Sequence, residues 1–210
     1  VHDTFRQVEG SWERTMRILK NAQAAGLSAQ VNTTVSRHNL SLLAEMPPFI
    51  EDVGAVQWSV FFLVPTGRGQ VPWMLSAEEH ERLFHWLYEL AQTAPFDIKA
   101  TAAPMYRRVA IERKRHEAGN AGFQYADGLN RPTRGVNDGN GFLFISHTGE
   151  IMPSGFLPLA AGNVRSQDVV QVYREHPLFV DLRNPHLLKG KCGRCIYRDV
   201  CGGQRGRAYA

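Results

Sequence analysis

Two hydrophobic periods take turns along residues 1 to 116. A helical stripe of Trp12, Met16, Leu19 and Ala22 opens near Ser11, a good N-cap residue, and stops at Gly26. Period-two alternation follows from Ser28 to Val35 and predicts a strand. Helical spacing returns through Leu42, Leu43 and Met46, is interrupted by Pro47-Pro48, and gives way at Gly54 to a second strand, Val56 to Val64. Pro65-Thr66-Gly67-Arg68-Gly69 breaks that strand. Ser76-Ala77-Glu78-Glu79 then starts an amphipathic helix with Leu83, Trp86, Leu87 and Leu90 inward, and Phe96 to Thr101 forms a third strand. Helix and strand alternating at this spacing predict an α/β fold with a parallel sheet.

Each predicted strand has one polar face. In the first, Gln30, Asn32 and Thr34 oppose Ala29, Val31, Thr33 and Val35. In the second, Gln57 and Ser59 oppose Val56, Trp58, Val60 and Phe62, and in the third Asp97 and Lys99 oppose Phe96 and Ile98. Parallel strands covered on both sides normally read as continuous apolar runs. Three successive strands with a polar face therefore predict an open or partial barrel whose lumen is wet or ligand-filled, the alternative being a sheet with one solvated face. Polar residues near the carboxyl ends of the strands become the binding candidates.

The texture changes after residue 116. Residues 119–141 are rich in Gly, Asn, Asp and Pro and read as a linker or an ordered functional loop. Beyond them, Phe142 to Ser146, the turn His147-Thr148-Gly149, and Glu150 to Met152 predict a short hairpin. Ser166 to Glu175 and Pro177 to Leu182 predict small helices. The chain divides accordingly into residues 1–116, the connection 117–140, and a compact unit at 141–210.

Bulk composition narrows the class. At 210 residues, 43% apolar and 21% charged, the chain can bury one good core plus a small appendage. No apolar run approaches the ~18 residues of a membrane span, and no signal peptide is expected. The net charge of +4 reads as a basic surface, because no basic and aromatic residues interleave into a nucleic-acid platform. Val1 is not an initiator Met, so the amino terminus is expected to be cut.

All three cysteines fall in the last nineteen residues, as Cys192, Cys195 and Cys201, followed by Gly202-Gly203. A two-residue gap lets two thiolates converge on one soft metal, and the third arrives after a short loop. By spacing alone an iron-sulfur cluster, zinc, and a thiol redox or disulfide role all remain open, although the second C-x2-C or His pair of a zinc ribbon is missing. An odd number of clustered thiols points to a reducing, cytoplasmic setting. His147 is a further metal-ligand candidate, with a turn residue as its alternative.

Three segments resemble a known family. Phe144-Ile-Ser-His-Thr-Gly-Glu-Ile-Met-Pro-Ser-Gly-Phe-Leu-Pro158, Ala161-Gly-Asn-Val-Arg165, and the run from Lys191 through the three cysteines to Ala210 are similar to the SPASM/Twitch extension of radical S-adenosylmethionine (SAM) enzymes, closest to the haem-biosynthesis branch. Upstream, Gln30 to Thr34, Phe61 to Gly69 and Ala103 to Arg107 resemble the last strands of the same enzymes' barrel. The resemblance implies the carboxyl-terminal half of a partial (β/α)6 TIM-like barrel at 1–116, followed by a small α+β iron-sulfur domain at 141–210.

It also implies chemistry. Family members bind SAM on a 4Fe-4S cluster held by a C-x3-C-x2-C loop that these residues lack, so the chain reads as a fragment, inactive by itself, of an oxidoreductase. The intact enzyme would make a 5'-deoxyadenosyl radical to modify a tetrapyrrole side chain or a peptide. The carboxyl-terminal cysteines would hold an auxiliary 4Fe-4S cluster, with a flavodoxin- or ferredoxin-type protein as electron donor. Val136, Ser154 and Arg205 stand where further cluster cysteines would align, leaving at most one auxiliary cluster. Asn32 and Thr34 are the expected SAM contacts, and Arg68 is expected to pair with a carboxylate of SAM or substrate. Tyr106, Arg107 and Arg108 are candidates to face a polycarboxylate tetrapyrrole. A non-catalytic metal-binding or peptide-recognition module is the alternative, and no residue is assigned a catalytic role.

Overall fold

A computed structural model describes residues 2–118 and 136–210. Two short sheets organise them. The first holds β1 (Gln30–Val35), β2 (Gln57–Phe62) and β3 (Asp97–Thr101), parallel in the order β1-β2-β3. The second is antiparallel and smaller, built from β4 (Phe144–Ile145), β5 (Glu150–Met152) and β6 (Gly162–Asn163).

In the first sheet Asn32 pairs with Ser59 and Ser59 with Lys99, while Val31 pairs with Trp58 and Trp58 with Ile98. Side chains alternate along a strand, so Asn32, Gln57, Ser59 and Lys99 share one face, and Trp58, Val60, Phe62 and Ile98 share the other. The apolar face is the one covered. Against it pack Ile50 of α3 (Met46–Asp52), Leu83, Phe84 and Leu87 of α4 (Ala77–Leu90), and Val109 and Ala110 of α5 (Tyr106–Ala118). Buried Trp58 satisfies its indole N–H by donating to Thr33 Oγ1 at 2.9 Å. On the polar face Gln30, Asn32 and Thr34 stay exposed, whereas Ser59 is buried and shares a 2.8 Å hydrogen bond with Thr101.

Local signals explain most boundaries. α4 begins with a complete capping box: Glu79 N–H donates to Ser76 Oγ at 3.1 Å, and Ser76 N–H donates to Glu79 Oε2 at 2.7 Å. α2 (Ser11–Ala24) ends on Gly26 at φ 70°, with Leu27 N–H bonded to Ala22 O and Gly26 N–H to Gln23 O. Its start differs from expectation. Gly10, at φ 68°, is the N-cap, and Ser11 is already helical. The capping group is instead Asp3 of α1 (His2–Arg6), which accepts from Trp12 N–H at 2.8 Å and from Ser11 Oγ at 2.7 Å. A further bond from His2 Nδ1 at 3.0 Å, together with those from Ser11 and Trp12, holds the Asp3 carboxyl well below the usual range.

Pro47-Pro48 do not interrupt a helix. They occupy the first turn of α3, where a missing N–H costs nothing, after a short 3-10 stretch at Leu40–Glu45. The predicted hairpin forms with Phe144 opposite Met152, but β4 is trimmed to two residues. The small helices also form, as α6 (Val169–Glu175), capped by Asp168, and α7 (Pro177–Arg183). Of the expected connection 117–140, residues 119–135 lie outside the described residues. Among the described residues, no helix is long and apolar enough to cross a membrane.

Candidate functional site

The cysteine segment folds as two four-residue helices, α8 (Gly190–Gly193) and α9 (Arg198–Cys201), joined by a tight turn. The turn closes through Cys195 N–H to Cys192 O at 3.2 Å, and Gly202-Gly203, at φ 67° and 75°, end the segment in the left-handed region. The three thiols are free. Tyr197 N–H reaches Cys195 Sγ at 3.4 Å, and Gly203 N–H donates to the Cys201 sulfur. Burial pushes the Cys201 thiol up, and the charges of Cys192 and Cys195 push the same way, while the Gly203 N–H and Arg107 pull it down. The thiols are therefore electrostatic neighbours. Among the described residues they are not drawn in tightly enough to form a finished metal-ligand set.

The donor chemistry fits a soft metal: three sulfurs, backbone N–H groups aimed at two of them, and a nearby guanidinium against their negative charge. Metal binding here would expel the Cys201 proton that burial retains.

Two residues that sequence reasoning left unassigned hold this segment. Asn137 Nδ2 donates to Cys201 O at 2.7 Å. Buried Asp138 accepts from Ser154 Oγ at 2.5 Å and from Gly206 N–H at 2.9 Å, tying the turn at 137–140 to the hairpin and to α10 (Arg205–Tyr209). Ser154, Val136 and Arg205, the three positions aligned with cluster cysteines, thus have other roles. Ser154 is buried in the Asp138 network, Val136 is exposed, and Arg205 Nε donates to Gly202 O at 3.1 Å. The Asn137-Asp138-Gly139 triplet was legible only as a turn signal.

The segment also leans on the first sheet. Tyr197, its phenol pushed up by burial and by a hydrogen bond to Glu112, touches α5. At the carboxyl edge of the sheet, Arg207 of α10 donates through Nη2 to Phe62 O at 3.3 Å and to Ala102 O at 3.2 Å, the carbonyls that end β2 and follow β3. His80 of α4 makes a 2.8 Å contact to Ser76 O through Nδ1, which places its proton there and leaves Nε2 to accept from Arg207 Nη1 at 3.4 Å. Burial keeps the His80 pKa below its usual value, with Arg207 acting in the same direction.

The remaining sequence candidates scatter. Asn32 and Thr34 sit together on the open face of β1, with Asn32 Oδ1 accepting from Gln30 Nε2 at 2.5 Å. Arg68 is exposed in its loop, and His147 is an exposed turn residue. The triplet at the start of α5 splits three ways. Tyr106 is buried in the main core, Arg108 is held by Glu81 and Glu112 at 2.5 and 2.7 Å, and Arg107 Nη1 is buried without a hydrogen-bond partner among the described residues.

A parallel sheet with a polar face, joined at its carboxyl edge to a unit that carries three free thiols, defines an α/β protein. No family model matches the chain. Over its full length it is 40% identical to an AdoMet-dependent heme synthase of Methanosarcina barkeri and, over 99% of its length, 41% identical to one of Nitratidesulfovibrio vulgaris. It is 24% identical over 97% of its length to a pre-heme d1 synthase of Dinoroseobacter shibae. The chain spans 60%, 57% and 53% of the lengths of these three relatives. It is a homologue of these proteins over almost all of its length.

Proposed function

We propose that the chain carries the substrate side and the auxiliary-cluster unit of a radical SAM oxidoreductase that modifies a tetrapyrrole side chain. In this proposal β1 to β3 are strands of a partial (β/α)6 barrel, and their polar face lines its lumen. Asn32, Thr34 and Arg68 contact SAM, and Cys192, Cys195 and Cys201 hold an auxiliary 4Fe-4S cluster. SAM and its 4Fe-4S cluster would supply hydrogen-abstraction chemistry, with Asn32, Thr34 and Arg68 holding SAM. A flavodoxin- or ferredoxin-type donor provides the electron. The chain's own residues orient and enclose: the helices seal the apolar face, the backbone N–H groups of Tyr197 and Gly203 bond the sulfurs, and Asn137 fixes the Cys201 carbonyl. The observation that carries the proposal is the gathering of three free thiols beside α5, next to the carboxyl edge of the sheet, in a homologue of AdoMet-dependent heme synthases.

Anaerobic reconstitution with iron and sulfide should give a brown protein with thiolate-to-iron absorption and about four irons per chain. Cys195→Ala should lose the colour. Stoichiometric zinc without iron in anaerobically purified protein would establish the metal-module alternative instead. Because every cysteine of the chain lies in this one segment, the 210 residues by themselves should yield no 5'-deoxyadenosine from SAM and dithionite.

A further inference from the structure

Three aromatic rings gather outside the main core. Phe5 comes from α1, His38 from the loop that leaves β1, and Trp73 from the 3-10 turn Val71–Trp73 in the connection that leaves β2. Their ring centroids lie 6.1 Å (Phe5–His38), 6.4 Å (Phe5–Trp73) and 4.9 Å (His38–Trp73) apart, so the three form one cluster. Phe5 is 50% exposed, His38 is exposed and Trp73 is half-buried. None of them belongs to the core that covers the apolar face of the sheet. A main-chain bond, Arg37 N–H to Trp73 O at 2.9 Å, ties the two loops together instead. Apolar surface assembled from three separate segments and left open to water is unfavourable, and patches of this kind mark binding surfaces.

Position and chemistry narrow the occupant. β1 and β2 are parallel, so both loops leave the carboxyl ends of their strands, the edge at which open parallel sheets bind small molecules. Asn39, next to His38, donates from Nδ2 to Thr34 O at 3.0 Å, which sets the cluster beside the SAM contacts proposed on β1. A substrate that reacts with SAM-derived chemistry must lie close to it. The rings are tilted by 56° to 71° against one another, so none is stacked on a neighbour, and a planar π-system broad enough to reach several of them gains a face or edge contact at each. Arg6 and Arg37, each next in the chain to one of these rings, are both exposed, and the nearest acid to Arg37 is Glu79 at 4.0 Å. Basic surroundings suit a ligand with acidic side groups.

We propose that Phe5, His38 and Trp73 form the seat of the tetrapyrrole macrocycle at the carboxyl ends of β1 and β2, holding its planar ring system through their own rings. The proposal rests on the tetrapyrrole function above. It gives recognition of the macrocycle to α1 and the two loops, whereas the carboxyl-terminal unit meets the sheet at β2 and after β3, through Arg207.

The test titrates metal-free coproporphyrin, a porphyrin tetracarboxylate, into the chain and follows the Soret band. SAM affinity and sedimentation are measured on the same samples, and each variant must show native circular dichroism. Phe5→Leu, His38→Leu and Trp73→Leu keep an apolar side chain but remove the ring, and each should weaken coproporphyrin roughly threefold to tenfold. Phe5→Tyr and Trp73→Phe keep a ring and should bind within about twofold of the wild type. Val170→Ser, at an exposed apolar residue of α6, should change nothing. Wild-type binding that no ring variant moves, or that the leucine and aromatic variants weaken alike, would overturn the proposal and leave the tetrapyrrole function standing. A loss confined to SAM would give the rings to its adenine, and self-association abolished by Phe5→Leu with porphyrin binding intact would give them to a second copy of the chain. Weakening by Val170→Ser as large as that by the ring variants would make the porphyrin an adventitious binder. Each of these three results also overturns the proposal. No binding of coproporphyrin to the wild type would sink the proposal and the tetrapyrrole function together.

Discussion

The two sheets of this chain are held together by different physics. The parallel sheet owns a contiguous core in which Trp58, Val60, Phe62, Phe84 and Leu87 are almost wholly removed from water. Among the described residues, the unit around the cysteines buries only Ile151, Ala161, Val172 and Phe179 in its own cluster. Its remaining order comes from buried hydrogen bonds at Asp138, from Asn137 on the Cys201 carbonyl, and from glycines at positive φ. Apolar burial is non-directional and tolerant, whereas a small polar-stapled unit depends on each bond and commonly needs a further staple such as a metal. The difference teaches that the first region stands on apolar burial and the second on individual polar bonds.

Replacing Phe84 by Ala removes a fully buried ring from the scaffold and should cost about 3–5 kcal/mol. Urea denaturation followed by tryptophan fluorescence measures it. A cost below about 1 kcal/mol would mean that the sheet is not the principal core.

In the cysteine unit the corresponding blow is Asp138→Ala. It leaves the Ser154 hydroxyl and the Gly206 N–H without their acceptor and should cost about 2–4 kcal/mol. Hydrogen exchange should lose protection around residues 137–141 and 204–206 and keep it in β1 to β3. Uniform loss across both sheets would erase the distinction between the regions.

Gly206→Ala probes the seat of α10 more gently. A Cβ there would stand 2.8 Å from Phe156 Cβ and 2.9 Å from Phe156 O, so the helix must shift, at about 1–3 kcal/mol. Arg207 should then leave the Phe62 and Ala102 carbonyls, and hydrogen exchange should rise at residues 205–209 while β1 to β3 stay protected. Unaltered exchange would disconnect the Phe156 contact from the seating of α10.

The smallest effect is a pH dependence at the junction of the two regions. The folded pKa of His80 lies below the unfolded value of about 6.5. The unfolded chain therefore takes up this proton first as pH falls. The contribution of His80 is fully present above about pH 6.5 and is lost as pH falls through that value toward the lower folded pKa. Wild-type stability should decline across that window, and His80→Gln should flatten the decline. Parallel profiles for the two proteins would mean that His80 is not held neutral.

Much of the scaffold was legible. Period-two alternation in Gln30–Val35 and Gln57–Phe62 fixed which residues share a face, because side chains on a strand have no other choice. The Ser76–Glu79 capping box marked a helix start within one residue. The start of α2 was misread because its cap, Asp3, comes from a neighbouring helix, and Pro47-Pro48 were misread because proline ends one helix and begins another with the same local chemistry. At the site, the cysteine trio announced itself by spacing. Asn137, Asp138 and Arg207 did not, since their partners lie 64, 68 and 105 to 145 residues away in the chain.

The sequence by itself determined the polar and apolar faces of the strands, the run of helices that covers one of them, and the soft-ligand character of the last nineteen residues. These follow from local periodicity and residue chemistry. The tertiary structure alone decided that Arg108 pairs with Glu81 and Glu112 while Arg107 faces the cysteine segment, that Ser154 serves a buried aspartate, and that Arg207 of α10 lies across the carboxyl ends of β2 and β3. Those outcomes depend on which distant groups are brought within hydrogen-bond reach and shut away from water, and no local pattern encodes that.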